Sequence, residues 1–200
     1  LRWRELSLWP GRPWRRALWL VLVGAVQYGL MYTGYLASFR YAEAHQVALF
    51  TVTTPLYECL VHDAWARRFD PRNLLLAALA VVGAAVLQPR VWSVGAAWLG
   101  FALVQASCLC FAFGQVAYRQ MRRRAPAVRD HAVFAWLYLG GLLVCTLTVS
   151  ATGGWGGLAT FGAGQVWTLL YLGVVASGLG FYLWNRGAVS APPAALAVAN

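Results

Sequence analysis

The chain has 200 residues, of which 60% are hydrophobic and only 11% are charged. Soluble domains carry about 25% charged residues, so this composition excludes an ordinary soluble protein and is typical of an integral membrane protein. The formal net charge is +10, and all sixteen basic residues are Arg. These arginines cluster between apolar stretches instead of along one polar face, which argues against nucleic-acid binding and favours contact with lipid headgroups.

Uncharged stretches of membrane-spanning length recur along the chain. A helix rises about 1.5 Å per residue, so about 20 residues cross a hydrocarbon core of about 30 Å. The run 132–185 is long enough for two crossings, which the Gly-rich segment 152–164 separates. The pattern predicts the start of a further span near Pro192 and six complete spans before it, at 17–39, 44–62, 73–89, 95–118, 132–151 and 166–186.

The arginines lie in alternate gaps between these spans. Fourteen of the sixteen lie on one side of the predicted membrane, and only Arg40 and Arg90 lie on the other. Loops that are rich in Arg tend to remain in the cytoplasm. We therefore expect a multi-pass protein of the bacterial inner membrane, whose cytoplasmic segments include residues 1–16, 63–72 and 119–131.

An internal repeat relates the two ends of the chain. Residues 23–51 match residues 172–200 at a constant offset of 149, with six identities and no gap. The matched spans are five crossings apart, so they run in opposite directions through the membrane. Inverted repeats of this kind are typical of secondary transporters, which hold the substrate between the halves near the midplane. Because the chain starts in a basic loop at Leu1 and stops within an apolar segment at Asn200, we expect spans to be missing from both ends.

Two stretches carry a family resemblance. Residues 44–57 (AHQVALFTVTTPLY) resemble the fourth span of the drug/metabolite transporter superfamily, in the branch built from two EamA domains. Residues 172–186 (LGVVASGLGFYLWNR) and the Ala-rich segment up to Asn200 are similar to its eighth and ninth spans. The resemblance implies an all-α, ten-helix membrane bundle with inverted-topology repeats, truncated here to the latter part of the first EamA repeat (1–89) and an incomplete second repeat (95–200).

Polar side chains within the predicted spans mark candidate cavity positions, because each is costly in hydrocarbon unless it is paired or faces a cavity. In the first span, Tyr28, Tyr32 and Tyr35 share one helix face, which is typical either of packing or of a binding wall. Asn185, next to Arg186, is expected to cap the end of its helix. We expect the substrate cavity to be lined by polar and aromatic residues of four spans: Gln27, Tyr28, Tyr32, Thr54, Tyr57, Gln105, Ser107, Ser177 and Trp184.

Three residues are candidates for kinks and gating. Pro55 leaves the carbonyl of Thr51 without its helical hydrogen bond and bends the second span. The bend either serves packing alone or exposes backbone polar groups to a central cavity. Gly29 and Gly178, at matching positions of the repeat, permit close approach and sliding of neighbouring helices.

Glu58 and His45 are the candidate proton-coupling groups. Glu58 lies near the cytoplasmic end of the second span, where its carboxylate either titrates during transport or extends toward water and pairs with Arg67 or Arg68. His45 opens the same span at the outer face. It either senses external pH, since imidazole titrates near neutral pH, or pairs with Glu43.

Signatures of several other protein classes are absent from the sequence. It has no G-x-x-x-x-G-K-[ST], H-E-x-x-H or G-x-S-x-G motif, and its four cysteines lack the spacing of a zinc site. We therefore predict no catalytic residue, no metal, no cofactor and no enzyme activity. The expected partners are the lipid bilayer, a small-molecule substrate and protons, and the sequence does not indicate an oligomeric state.

The resulting hypothesis is a secondary transporter that works by alternating access. The family resemblance implies export of small organic metabolites such as amino acids or amines. Two alternatives stay open at this point. A passive facilitator would need no titrating residue, and an intramembrane enzyme or accessory subunit would carry out no transport of its own.

Overall fold

The computed structural model describes residues 12–87 and 97–191, and within these ranges every regular element is helical. Short 3₁₀ turns occur at Thr51–Thr53 and Gly154–Thr160. The longer helices, in chain order, are α1 (Pro13–Ser38), α2 (Ala44–Phe50), α3 (Thr54–Ala66), α4 (Pro71–Leu87), α5 (Ala97–Arg124), α6 (Asp130–Ala151) and α7 (Ala163–Ser190). Of these, α1, α5, α6 and α7 are long and apolar enough to cross a membrane.

The helices agree with most of the predicted spans. The spans at 17–39, 95–118, 132–151 and 166–186 are confirmed as α1, α5, α6 and α7, which all reach beyond the apolar runs on which the prediction rested. The predicted span 44–62 is split into α2 and α3. The predicted span 73–89 corresponds to α4, which has 17 residues. The segment that starts near Pro192 lies outside the described residues.

The all-α membrane bundle is confirmed, whereas the ten-helix EamA architecture is not. The described ranges hold seven longer helices, and four of these have the length and composition to cross a membrane. The predicted division into repeats at 1–89 and 95–200 has its boundary in residues 88–96, outside the described ranges. That division stays a prediction.

The break between α2 and α3 follows from the local sequence. Pro55 lies in the first turn of α3, the part of a helix where proline is best tolerated. The chain before it tightens into the 3₁₀ turn Thr51–Thr53. The carbonyl of Thr51 accepts a hydrogen bond from the hydroxyl of Thr54 at 2.5 Å, which replaces the bond that a proline cannot donate. At the expected kink, the α-helix is therefore interrupted by one 3₁₀ turn, and the residues on both sides keep right-handed helical dihedral angles.

The closest packing between long helices joins α1 to α6. Gly24 of α1 and Gly140 of α6 lie at the crossing, where a β-carbon on either residue would overlap the backbone of the other helix. A β-carbon on Gly29 would overlap the side chain of Val144. Close approach through glycine is a common mode of helix packing within membranes. The crossing therefore holds α6 directly against α1.

Both α1 and α7 contain a wider π-helical segment near mid-length, at Ala25–Leu30 and Tyr171–Leu179. The offset of 149 residues places the first segment on residues 174–179, so the two distortions occupy matching positions of the sequence repeat. π-Helical turns are rare in proteins, and those that do occur often lie at functional sites. The internal repeat therefore has a counterpart in the backbone geometry.

The Arg-rich helix ends meet at one end of the bundle. The Asp130 carboxylate at the start of α6 lies 2.8 Å from Arg122 at the end of α5 and 4.0 Å from Arg186 in α7. Arg119 of α5 donates hydrogen bonds to two backbone carbonyls at the end of α7. The alternation of arginines along the sequence thus corresponds to one charged end in space, as the positive-inside bias requires.

Large apolar side chains cover the outward faces of the long helices. Leu36 of α1 is 63% exposed, Leu147 of α6 is 68% exposed and Trp167 of α7 is 72% exposed. Continuous apolar exposure of this kind marks a surface that meets lipid or another protein surface. The buried core lies between α1, α5 and α6, with Phe181 and Tyr182 of α7 packed against it.

Candidate substrate cavity

A cavity of about 280 Å³ lies near mid-depth between α1, the α2–α3 break, α5 and α7. Its walls combine aliphatic, aromatic and hydroxyl groups, as is usual in pockets for small organic molecules. Three residues that the sequence predicted as cavity positions line it directly, namely Tyr32, Thr54 and Ser107. The other lining residues are Met31, Tyr35, Thr51, Cys108, Phe111 and Phe181.

The hydroxyl groups of Tyr32 and Ser177 lie 2.7 Å apart and join α1 to α7 at the edge of this cavity. Ser177 belongs to the π-helical segment of α7, whose carbonyl at Gly178 accepts a hydrogen bond from Tyr138 at 2.6 Å. The Tyr32 ring also packs against Phe181, with ring centres 6.1 Å apart. This edge of the cavity therefore holds hydroxyl groups that could exchange a protein partner for a ligand.

Gln105 supports the helix break instead of lining the cavity. Its side-chain oxygen accepts a hydrogen bond from the Thr53 hydroxyl at 2.6 Å, and its amide donates to the carbonyl of Phe50 at 3.1 Å. Both partners lie where α2 ends, so Gln105 satisfies polar groups that the break leaves without helical partners. Tyr57, also predicted to line the cavity, packs against the apolar cluster formed by α1, α2 and α5.

A buried polar layer joins α1 and α7 between the cavity and the Arg-rich end. Gln27 and Asn185 are both 0% exposed, and the Gln27 amide donates to the side-chain oxygen of Asn185 at 3.4 Å. The Asn185 amide donates to the Tyr28 hydroxyl at 3.3 Å and to the Phe181 carbonyl at 2.8 Å. The prediction that Asn185 caps its helix is wrong, because α7 continues to Ser190 and carries this side chain into the core.

Three buried polar atoms near this layer lack a hydrogen-bond partner among the described residues: Gln27 Oε1, Gln115 Nε2 and Trp184 Nε1. Gly114, which precedes Gln115, packs so closely on Gln27 that a β-carbon there would overlap its side chain. A buried polar group without a partner costs about 1–3 kcal/mol and is usually satisfied by water or a ligand. Water or a ligand could therefore supply a hydrogen-bond partner to each of these three atoms.

The predicted gating glycines both lie in π-helical segments. Gly29 is in the segment of α1, where it packs against Val144. Gly178 is in the segment of α7, where its carbonyl accepts the hydrogen bond from Tyr138. Each glycine therefore lies at a distortion of its helix and at a contact with α6.

Neither candidate proton-coupling residue is among the residues that line the cavity. Arg119 of α5 interacts electrostatically with Glu58, so a charge on a neighbouring helix acts on this carboxylate. His45 lies 3.3 Å from Glu43 at the outer end of the bundle, with 56% of its side chain exposed. Of the two interpretations of His45, this contact corresponds to pairing with Glu43.

Sequence reasoning missed Asn185 and Tyr138 as parts of the site. Asn185 was assigned to a helix end because Arg186 follows it, yet Ser177, Phe181 and Asn185 are spaced four residues apart and share one helix face. That spacing was the signal available in the sequence. Tyr138 has no such pattern around it, and its role depends on the position of α6 against the π-helical segment of α7.

Comparison with known proteins finds relatives, although no protein-family model and no solved structure matches the chain. The biotin transporter of Salmonella typhimurium is 38% identical over 183 residues, and that of Escherichia coli is 36% identical over 191 residues. Each match covers 90% of this chain and 60% of the relative, so the chain spans about 60% of their length. The probable biotin transporter of Pseudomonas aeruginosa is 35% identical over an aligned length of 202 positions, and the match covers 98% of this chain and 68% of that protein. The chain belongs to the biotin transporter family.

Membership in the biotin transporter family corrects the assignment to the EamA branch of the drug/metabolite transporters. The relatives are named biotin transporters, and no family model supports an EamA domain. The resemblance of residues 44–57 and 172–186 rested on apolar patterns, and lipid imposes similar patterns on spans of unrelated families. These residues therefore indicated a membrane transporter without identifying its family.

Two other predictions are confirmed by the biotin transporter family. Its members are transporters, which agrees with the prediction that the chain is not an enzyme. The bacterial relatives and the four long apolar helices agree with a multi-pass protein of the bacterial inner membrane. Within the part of the chain that the structure describes, no group of three or more His, Cys, Asp or Glu is placed to hold a metal ion.

Proposed function

We propose that this member of the biotin transporter family carries biotin across the bacterial inner membrane by alternating access. The binding site is the cavity of about 280 Å³ described above, which we call the central cavity. Biotin replaces the amino acids and amines that the sequence resemblance suggested. The names of the relatives and a small, mostly apolar cavity near mid-depth support the proposal. Secondary transporters commonly bind substrate at this depth, between the halves that move.

The cavity walls suit the chemistry of the biotin ring system. Phe111 and Phe181 offer apolar surface to the sulfur-containing ring, while Tyr32 and Thr54 offer hydroxyl groups to the N–H and C=O groups of the urea. Each of these two hydroxyls already has a hydrogen-bond partner in the protein. Binding would therefore exchange one hydrogen bond for another, which leaves apolar burial as the main favourable contribution.

Reciprocal contacts between α1 and α7 support an inverted repeat. The offset of 149 residues pairs Tyr28 with Ser177 and Tyr32 with Phe181. Tyr32 contacts Ser177 at 2.7 Å, and the ring of Tyr28 lies 5.3 Å from that of Phe181. When two copies of a motif pack about a two-fold axis, each contact between i and j recurs between j and i. We propose that such an axis passes between α1 and α7 and relates the two predicted repeats.

In this proposal the buried polar layer closes the cavity toward the Arg-rich end. Opening on that side separates Gln27 from Asn185, whose hydrogen bond is long at 3.4 Å. A net contribution of about 1 kcal/mol per hydrogen bond makes such a contact inexpensive to break when water takes its place. Gln27 and Tyr28 of this layer lie within the π-helical segment of α1, and the π-helical segment of α7 ends six residues before Asn185. Both segments would serve as the bending points.

Flux of radiolabelled biotin into proteoliposomes that contain the full chain tests the proposal. We expect saturable biotin flux that unlabelled biotin inhibits and that amino acids and amines do not. Phe181→Ala removes an apolar wall and should raise the KM for biotin about tenfold, which corresponds to about 1.4 kcal/mol. Leu36→Ala, on the outward face of α1, is the matched control and should leave KM unchanged. Flux of amino acids or amines without flux of biotin would refute the assignment.

The same vesicles distinguish coupled transport from passive facilitation. An imposed pH gradient should drive biotin above its equilibrium concentration if protons are coupled to transport, and loss of that effect in Glu58→Gln would assign the coupling to Glu58. Flux that only reaches equilibrium, whatever the gradient, would identify a passive facilitator. Measuring efflux from preloaded vesicles gives the preferred direction.

A further inference from the structure

A second cavity, of about 650 Å³, opens at the Arg-rich end of the bundle. The start of α1, the end of α3 and the end of α5 form its walls. We call it the arginine vestibule, because its lining includes four arginines and three tryptophans: Arg12, Arg15, Arg16 and Arg124, with Trp14, Trp19 and Trp65. The described lining residues include no Asp and no Glu.

Positive charge is concentrated at the start of α1. Arg12, Arg15 and Arg16 lie at the end of the helix where the backbone dipole is itself positive, and the first turn contains no acidic residue. Arg12, at the N-cap position, makes no side-chain capping bond. Basic residues at this end of a helix repel its dipole, whereas an anion there is stabilised. The electrostatics of the vestibule therefore favour a negatively charged ligand.

The tryptophans place an apolar wall beside these charges. The guanidinium of Arg15 lies 5.6 Å from the centre of the Trp14 ring, and stacking of this kind keeps the N–H donors in the guanidinium plane for another partner. Trp65 packs against Phe113 of α5, with ring centres 6.1 Å apart. Guanidinium groups bind carboxylates through paired hydrogen bonds, and indole rings pack against apolar or planar groups. The combination suits an organic carboxylate better than a small inorganic anion.

The arginine vestibule is separate from the central cavity. On α5, residues three and four apart share one face, and the vestibule is lined there by Ala117, Gln120, Met121 and Arg124. Phe111 is the lining residue of the central cavity that comes nearest along this helix, about 9 Å from Ala117 at about 1.5 Å per residue. Gly114 lies between them and packs against Gln27 of the buried polar layer. That layer therefore lies between the two cavities.

We propose that the arginine vestibule binds an organic carboxylate with an apolar or planar body at the cytoplasmic end of the protein. The arginines hold the carboxylate, and the tryptophans hold the attached carbon skeleton. The phosphate of an anionic lipid carries the same charge, and tryptophan is common at membrane interfaces, so the test below separates a lipid from a soluble carboxylate. This site is distinct from the proposed biotin site and does not depend on it.

Binding of 4-phenylbutyrate and of its neutral analogue 4-phenylbutyramide to the full chain in a neutral detergent tests the proposal by calorimetry. We expect the carboxylate to bind at least about tenfold more tightly than the amide, because only the carboxylate pairs with guanidinium groups. Arg15→Gln and Arg124→Gln should each weaken carboxylate binding about tenfold. Arg124→Lys should retain part of the affinity, since it keeps the charge and loses the paired donors.

Arg123→Gln is the matched control, because this exposed arginine lies at the same end of α5 and is not among the residues lining the vestibule. Equal affinity for the acid and the amide would overturn the proposal, and this comparison needs no variant to fold. Equal weakening by Arg123→Gln and Arg124→Gln would also overturn it. The protein is also placed in nanodiscs of phosphatidylcholine or of phosphatidylglycerol. If 4-phenylbutyrate binds in the first and not in the second, the vestibule is a lipid site and the proposal of a soluble ligand is overturned. Biotin flux is a separate measurement, so its failure and the failure of this binding are distinguishable.

Discussion

The hydroxyl of Tyr32 meets the hydroxyl of Ser177 at 2.7 Å across the interface of α1 and α7. Ser177 lies in the π-helical segment of α7, so its position depends on that distortion as well as on the sequence. One hydrogen bond therefore connects a wall of the central cavity to a segment that we propose bends during transport. A ligand that engages the Tyr32 hydroxyl would release this contact between the two helices.

Removing the hydroxyl of Tyr32 should weaken substrate binding, whereas removing that of Ser177 should not. Tyr32→Phe deletes the hydroxyl that engages the ligand and should raise the KM for biotin about fivefold, since such a bond contributes about 1 kcal/mol. Ser177→Ala deletes only the partner that the ligand displaces, so its KM should equal or fall below that of the unchanged protein. Radiotracer flux gives the three KM values, and an equal rise in both variants would show that the ligand does not replace this contact.

Asn185→Ala should lower the stability of the protein more than most single substitutions of a polar residue do. It leaves the amide of Gln27 and the hydroxyl of Tyr28 without their partner in a buried layer, which costs about 1–3 kcal/mol. Leu183→Ala, on the same helix and 54% exposed, is the control. Thermal unfolding in detergent, followed by tryptophan fluorescence, should show a lower melting temperature for the first variant only. Similar melting of both variants would contradict a structural role for the layer.

Gly24→Ala should disrupt the crossing of α1 and α6. The added methyl group would overlap the backbone of Leu137, and backbone cannot move aside as a flexible side chain can. Overpacking of this kind typically costs about 1–3 kcal/mol. Gly187→Ala, in α7, meets no atom within 4 Å and should be neutral or slightly stabilising because alanine favours helix. Melting temperatures that fall equally in both variants would show that the crossing is looser than described.

Asp130→Asn should loosen the Arg-rich end of the bundle. Its carboxylate lies 2.8 Å from Arg122 and accepts a hydrogen bond from Tyr118 at 2.5 Å, and only 15% of its side chain is exposed. Losing a largely buried charge partner should cost about 1–3 kcal/mol. The loss should persist at high salt, because a buried pair is poorly screened. Glu43→Gln, at the opposite end and 80% exposed, keeps an oxygen that can cap α2 and should lower the melting temperature much less. A salt-sensitive loss at Asp130 would indicate a solvent-exposed pair instead.

The orientation can be checked with single cysteines in a variant whose four native cysteines are replaced. Glu43→Cys lies at the end of the bundle with few arginines, and Ala127→Cys lies in the exposed turn between α5 and α6. The positive-inside bias predicts that an impermeant thiol reagent labels the first position in intact cells and the second only after permeabilisation. Labelling of both positions from the same side would refute the span count.

The helices and the charged end could be predicted because they depend on local properties. A run of about 20 apolar residues must satisfy its backbone groups internally, so hydropathy alone located α1, α5, α6 and α7. The break at Pro55 could also be predicted, because the pyrrolidine ring acts on the carbonyl of Thr51 one turn before it. In the structure, the hydroxyl of Thr54 satisfies that carbonyl.

Only some of the residues that line the central cavity could be predicted from the sequence. Of the predicted positions, Tyr32, Thr54 and Ser107 line this cavity, whereas Gln105 supports the helix break. Phe181 and its apolar neighbours in the cavity wall carry no signal, because an apolar residue in a span looks the same whether it faces lipid, core or ligand. Which face of a helix meets the cavity depends on its rotation against its neighbours.

By itself, the sequence determined that this protein is a multi-pass helical membrane protein with its arginines on one side, because hydropathy and charge act on each segment separately. Only the tertiary structure decided that Gln27 and Asn185, which are 158 residues apart, meet in the core. It also decided that arginines and tryptophans from three helices form one vestibule. Both arrangements arise from the packing and rotation of whole helices, and no local pattern in the chain encodes those.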